Sequence, residues 1–330
     1  MLKQTTVNGH SAIFLENSHL RVGVLPGKGA DIFELSYKTQ DSSPDVQFLM
    51  QTPWGLKPPN SHQPVDFLEN YEGGWQELFP NANDACQVHG REIPFHGEVA
   101  LLPWQFDVLQ DDEVETTLRL SVNCSITPFR LERVMRLRQG ESRLIIQEKI
   151  TNLGEEPYEF VWGHHITLGG NFLETGCLVD MPAQQVYTPD VLFEPLTARL
   201  EPRQSEKWPF ARGRSGEAID LRIIPGPEIH SHDDAILGGL TKGVYSVTNP
   251  RLNLSFKLEW DKDIFPWLMD WQPYGGADLP PLKGIYGIGL EPWVSRYPLA
   301  DAIKAGQAKV LQGGQTLETE LVVEILHNLS

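Results

Sequence analysis

Cysteine is scarce in this chain: Cys86, Cys124 and Cys177 are the only three in 330 residues. They are odd in number, far apart and form no CxxC pair, which excludes a disulfide framework and a cysteine-based structural zinc site and leaves them as small buried hydrophobes. Positive charge is also in short supply. Against 44 Asp+Glu stand 27 Lys+Arg, a formal net charge of −17, whose field repels phosphate backbones and anionic lipid surfaces. No nucleic-acid partner and no membrane partner is therefore expected. No stretch offers about 18 uninterrupted apolar residues, and the opening MLKQTTVNGHSAIFLENSHL has no basic head followed by an apolar run, so a soluble, cytoplasmic protein is expected. There is no GxSxG, no cysteine beside a candidate base and no strand–GxGxxG–helix, which sets aside a serine or cysteine nucleophile and a dinucleotide site. Amphipathic helices are scarce as well; the best stretch, PLADAIKAGQAKVL (298–311), is short and interrupted by Gly306.

Strand signals fill the space that helices leave. TTLRLSVNCSI (116–126), FRLERVMRLR (129–138) and RLIIQEKITNL (143–153) are short, largely alternating and joined by turn-like residues, which predicts an antiparallel meander. YEFVWGHHITLG (158–169) begins a further run after the punctuation GEEP. GVYSVTNPRLNLSFKLEW (243–260) reads as a hairpin about Asn249-Pro250, and ETELVVEIL (318–326) as a closing strand. With 29 glycines and 25 prolines, these short strands predict a mainly β protein, a large antiparallel sandwich or barrel. No repeat or linker divides it, so residues 1–330 are read as a single domain. The proline-rich stretch 51–64 and LPPLKG (279–284) are read as long loops over a sheet, where binding sites tend to assemble.

Four stretches concentrate histidine, carboxylate, glycine and aromatic residues: HGREIPFHGE (89–98), VWGHHITLGG (161–170), IHSHDDAIL (229–237) and GIGLEPW (287–293). Imidazole and carboxylate at short spacing suit a divalent metal, with His89, His96 and Glu98 or His230, His232 and Asp233 as ligands. Neither set has a tight zinc spacing, so exposed loop histidines are the plainer account and no metal is expected. Proton transfer is the alternative, because a histidine and a carboxylate can protonate one atom of a substrate while deprotonating another. On a strand, His164 and His165 point to opposite faces. His164 shares its face with Phe160, Trp162, Ile166 and Leu168, a core-like stripe that is also a platform for a sugar ring; His165 shares the thinner face of Val161, Gly163 and Thr167. Glu291 is a lone carboxylate in an apolar strand, either a strand-end residue facing water or a base strengthened by its surroundings. Asp233 and Asp234 carry the same ambiguity. Trp75, Trp104, Trp162, Trp267, Trp271 and Trp293 lie in or near these stretches, where indole faces serve for packing or for sugar C–H faces.

Taken in order, GGWQELFPNAN, PFHGEVALLPW, GHHITLG and GLEPW resemble the galactose-mutarotase-like superfamily, the aldose 1-epimerases and their uncharacterised relatives, over roughly residues 70 to 295. The resemblance implies a large antiparallel β-supersandwich and an isomerase that interconverts sugar anomers. It implies His165 as the general acid at the ring oxygen, Glu291 as the base at the anomeric hydroxyl and His96 as a sugar contact. Asp233 matches the substrate-holding aspartate, with Asp234 or Asp270 as alternatives, and Trp75, Trp271 and Asn81 complete the implied substrate-binding set. Proton transfers on a carbonyl internal to the substrate require no cofactor. The implied partner is a small-molecule sugar. Two departures bear on which sugar: Glu72 precedes the glycine pair where the sugar-phosphate branch tends to have arginine, a repulsive neighbour for phosphate, and VWGHHITLGG replaces the asparagine-rich phrase of the galactose-type enzymes. A catalytically silent sugar-binding relative and a glycosidase or lyase are the other readings.

Overall fold

The computed structural model describes residues 1–39, 43–59 and 66–327. Among them, two large antiparallel sheets carry the architecture. The smaller has eight strands, in the order Leu178–Asp180, Val244–Asn249, Leu254–Trp260, Thr316–His327, Arg143–Asn152, Phe129–Arg138, Glu115–Asn123 and Gln105–Asp111. The predicted meander, hairpin and closing strand are all in it. Phe129–Arg138 shows why: Phe129, Leu131, Met135 and Leu137 alternate inward while their neighbours are only partly covered, which is the period-two pattern of a half-buried strand. Arg133 takes the middle inward position and needs a partner there.

The larger sheet has twelve strands, and its centre runs Asp31–Tyr37, Trp75–Leu78, Gly163–Leu168, Ile288–Trp293, Trp267–Tyr274 and Ser231–Gly238. One face packs on the eight-stranded sheet. Phe48 links the two layers through Phe172 at 4.4 Å and Phe256 at 5.9 Å between ring centroids. The other face carries the cavity described below. This is the mainly β supersandwich expected from the sequence.

One predicted strand divides. YEFVWGHHITLG is two elements: Tyr158–Phe160 pairs with Lys309–Leu311 in a small separate sheet, and Gly163–Leu168 enters the middle of the large one. The break at Val161-Trp162 lets the chain leave the small sheet for the large one, and both faces of Gly163–Leu168 are buried, so the alternation that separates an edge from a centre strand is lost. The helical stretch is the single α-helix among the described residues, Leu299–Lys304, ended before Gly306 at φ +65°. Of the proline-rich stretch 51–64, residues 60–64 lie outside the described residues. Among those described, no helix is long and apolar enough to cross a membrane.

Candidate active site

Pairing places the key residues in one row. The register that sets Gly163 opposite Trp293 and Thr167 opposite Gly289 sets His165 opposite Glu291. Met269 then stands opposite Glu291 on the next strand, and Gln76 opposite His165 on the other side. His165 Nε2 lies 3.6 Å from Glu291 Oε1. Both open into a cavity of about 920 Å³ on the outer face of the large sheet, within the size range of small-molecule sites. A second hollow of about 470 Å³ beside Trp267 holds no histidine, and its Lys262 and Asp263 are paired with each other at 2.6 Å.

Rings enclose the His165 imidazole: Phe67 at 5.6 Å, Tyr71 at 5.2 Å, His96 at 5.4 Å and Trp271 at 5.4 Å between centroids. Such a cage lowers the local polarity and disfavours charge. Burial pulls the His165 pKa down to about 3, lowers that of His96, with the neighbouring His165 adding to the effect, and pushes Glu291 well above the usual carboxylate range. The buried pair therefore favours a neutral imidazole and a protonated carboxyl. It carries one proton between two groups of different chemistry, the arrangement that general acid–base catalysis uses.

The loop bearing His96 is held by specific contacts. Gly97, at φ +79°, lies so close to Phe79 that a Cβ would sit 2.3 Å from its carbonyl oxygen, and His96 itself adopts φ +61°, a conformation non-glycine residues seldom take. The Asn81 side-chain amide donates to the carbonyls of Asn83 and Asp84 at 2.8 Å each, its oxygen accepts from Leu299 N at 2.8 Å, and Asn83 O accepts from His96 N at 2.9 Å. The Glu98 carboxylate accepts from the backbone and hydroxyl groups of Ser125 and Thr127 and from Ile126 N, at 2.5 to 3.1 Å.

Of the seven residues that the resemblance implies as the site, His165, Glu291, His96 and Trp271 meet at the cavity, where Trp293 joins them. Three others do not. Asn81 is the clasp of the His96 loop. Trp75 faces the layer between the sheets, fully buried, with Nε1 donating to His164 Nδ1 at 3.3 Å. Asp233 also points away from the cavity, accepting from Arg199 N at 2.6 Å, Leu200 N at 2.8 Å and Arg199 Nε at 2.8 Å. The next residue is on the opposite face, so Asp234 lines the cavity in its place, with its pKa pushed up to about 7 by burial and then by Asp233 and Glu194. Asp270, directly opposite Ala235, shares the face of Asp233. Phe67, Tyr71 and Arg296 line the cavity without having been anticipated; the aromatic pair at spacing four in FLENY was the one local signal. Glu72 does not face the cavity either: it is buried against Lys28 Nζ at 2.5 Å, so it is no neighbour of a substrate phosphate.

The candidate metal sets do not assemble. His89 pairs with Glu159 at 2.7 Å and His230 with Asp278 at 3.2 Å, both exposed, while His232 Nε2 accepts from Trp271 Nε1 at 2.6 Å. Behind the cavity, Glu77, Glu148 and His164 do offer ligand atoms within 4.8 Å of one another. Their cation is already present. Arg133 reaches Glu77 through Nη2 and Glu148 through Nε at 2.8 Å, and burial holds His164 neutral, with a pKa down to about 4.

Residues 7–200 match the family described as Domain of unknown function (DUF4432). No curated relative matches the chain. Among solved structures, a protein provisionally named as an aldose 1-epimerase, from Klebsiella pneumoniae, superposes with a TM-score of 0.74 at 15% identity, over 99% of this chain and 83% of its own. A galactose mutarotase-like protein from Clostridium acetobutylicum gives 0.65 at 13% identity, over 99% and 98% of the two chains. Another, from Lactobacillus casei, gives 0.61 at 16% identity, over 96% and 100%. At these identities the likeness is one of fold.

Proposed function

This chain belongs to the family Domain of unknown function (DUF4432), and from that premise we propose that it is an aldose 1-epimerase-like isomerase, acting on a small sugar through His165 and Glu291. The observation that carries the reading is the cross-strand pair of one imidazole and one carboxyl, 3.6 Å apart, at the floor of an aromatic-lined cavity. Its supporting context is a fold shared with proteins named as mutarotase-like.

The chemistry follows from the single proton. Substrate hydroxyls donating to Glu291 favour its ionised form, which leaves the proton on His165. Glu291 then takes the proton of the anomeric hydroxyl as His165 gives its proton to the ring oxygen, and the bond from C1 to the ring oxygen breaks. Rotation about C1–C2 turns the other face of the aldehyde toward the hydroxyl, and closure with the two roles reversed yields the other anomer. The pair ends as it began. His96 and Trp271 hold the ring, and His232 fixes Trp271 through the indole N–H.

The test is polarimetry on freshly dissolved single anomers of a panel of aldoses. Wild type is expected to speed the approach to equilibrium for at least one sugar, and Glu291→Gln and His165→Asn each to slow it by about 10²-fold or more, the usual contribution of a positioned acid or base. Sugar binding without acceleration would instead identify a silent binding protein.

A glycosidase is the second reading, because Asp234 gives the cavity a carboxyl besides Glu291, and paired carboxyls cleave glycosides. Release of nitrophenol from nitrophenyl glycosides, lost in Asp234→Asn, would favour it over isomerisation.

A further inference from the structure

Most arginines of the described residues pair with a carboxylate; Arg91, Arg143, Arg214 and Arg296 do not, and of these four only Arg296 lines the cavity. The Arg296 guanidinium lies over the rings of Tyr187, Tyr297 and Trp267, at 4.8, 4.9 and 5.2 Å from their centroids. These faces supply a cation–π attraction. They satisfy none of its hydrogen-bond donors. Among the described residues Arg296 has no ion-pair partner, and its Nε is buried without an acceptor. The other arginine of the cavity, Arg203, is exposed and has Asp190 at 3.7 Å.

Its place relative to the His165–Glu291 row follows from the register. Met269 is opposite Glu291, and Trp267, under the guanidinium, is two residues further along the same strand, opposite Trp293. Two strand residues span about 6.7 Å, so Arg296 covers the ground next to the reacting row. Asp234 lies at the opposite end, opposite Trp271 on the other side of Met269. The cavity is therefore polarised along the strand axis, with a carboxyl at one end, the acid–base pair in the middle and a bare guanidinium at the other.

We propose that Arg296 is the anion subsite of this cavity and that the substrate is a monosaccharide carrying an oxyanion, a carboxylate or a phosphate, rather than a neutral sugar. The inference rests on the sugar-isomerase reading above. A planar guanidinium with unused donors matches a carboxylate or phosphate edge through paired hydrogen bonds. The other acidic groups stand apart from it or are matched: Asp190 is paired with Arg203, Asp84 is exposed at the mouth, Asp234 lies at the far end of the strand axis, and the charge of an ionised Glu291 is matched by the proton left on His165. With Glu72 turned away against Lys28, the carboxylate that seemed to oppose a phosphorylated substrate is not in the cavity.

Binding, read by calorimetry and independent of any turnover, tests this with glucuronate, galacturonate, glucose 6-phosphate, galactose 6-phosphate and the two neutral parents. At least one anionic sugar is expected to bind at least about tenfold tighter than its parent, the scale of one charge-assisted hydrogen bond. Arg296→Gln should erase that preference, with the anionic sugars losing at least about tenfold more affinity than their neutral parents, and Arg296→Lys should retain part of it. The uronate and phosphate arms decide which oxyanion the subsite takes. If Arg296→Gln does not melt as a folded protein, wild type and Arg296→Lys still decide. Neutral sugars binding as tightly as anionic ones, no binding by any anionic sugar, or equal losses for both classes in Arg296→Gln would overturn the proposal. Anionic sugars that bind without anomer exchange would leave the subsite standing and remove the isomerase reading; neutral sugars that exchange with no anionic preference would do the reverse.

Discussion

Glu291 and His165 are unusual residues for the same reason: burial favours the uncharged form of each. Adding a second proton to the pair means charging His165, whose pKa burial brings from 6.5 down to about 3; removing the only proton means ionising Glu291, raised well above 4.5. The one-proton form therefore extends further in both directions than it would for a solvated pair. The rate of anomer exchange under kcat/KM conditions is expected to stay flat through pH 6.5, with its acid limb well below that value, and a limb centred between pH 6 and 7 that disappears in His165→Asn would contradict this. Glu291→Gln replaces a group that is neutral when buried by a near isostere, so its melting temperature should match wild type. The aspartate neighbours should separate cleanly. Asp233→Ala strands two backbone donors and Arg199, which predicts a stability loss of about 2–5 kcal/mol in urea unfolding, whereas Asp234→Asn should alter sugar affinity and leave the unfolding midpoint in place.

The strand Gly163–Leu168 does two jobs with adjacent histidines. His165 faces the cavity; His164 faces Glu77, Glu148, Trp75 and Trp162 in the layer between the sheets. The inward arginine of Phe129–Arg138 completes that layer, and removing it leaves two buried carboxylates without their cation. Arg133→Met is expected to cost about 3–5 kcal/mol, measured by urea unfolding; an unchanged midpoint would mean that the cluster relaxes around a shared proton. The opposite facing of His164 and His165 was legible in the sequence, because strand alternation alone dictates it. So were Phe129–Arg138 and its neighbours, where one face is covered and the other is not. The division of 158–169 was not, since a strand buried on both faces has lost the period that would mark its ends. Nor was the placement of Asp234 over Asp233, which depends on register with Trp267–Tyr274, a long-range property. Asn81 and Trp75 carried the right motif, yet their side chains serve the loop and the core behind the site.

At the scale of the whole molecule, the hydrophobic core is continuous from Ile13 to Ile325, and Thr316–His327 is an interior strand of the eight-stranded sheet. We propose that residues 1–330 form one cooperative unit. Tryptophan fluorescence and far-ultraviolet circular dichroism should then report a single coincident thermal transition; two separated transitions would divide the chain. The two layers position a cavity whose floor is one His–Glu pair, and that pair is the centre of the account. The measurement that tests it most directly is two-dimensional exchange NMR between the α and β anomeric protons of neutral, uronic and phosphorylated aldoses at equilibrium, with wild type and Glu291→Gln side by side. The account expects exchange cross-peaks for at least one sugar with wild type and only the buffer rate with the variant; a bound sugar whose anomers exchange at the buffer rate with wild type, or equally fast with both proteins, would contradict it.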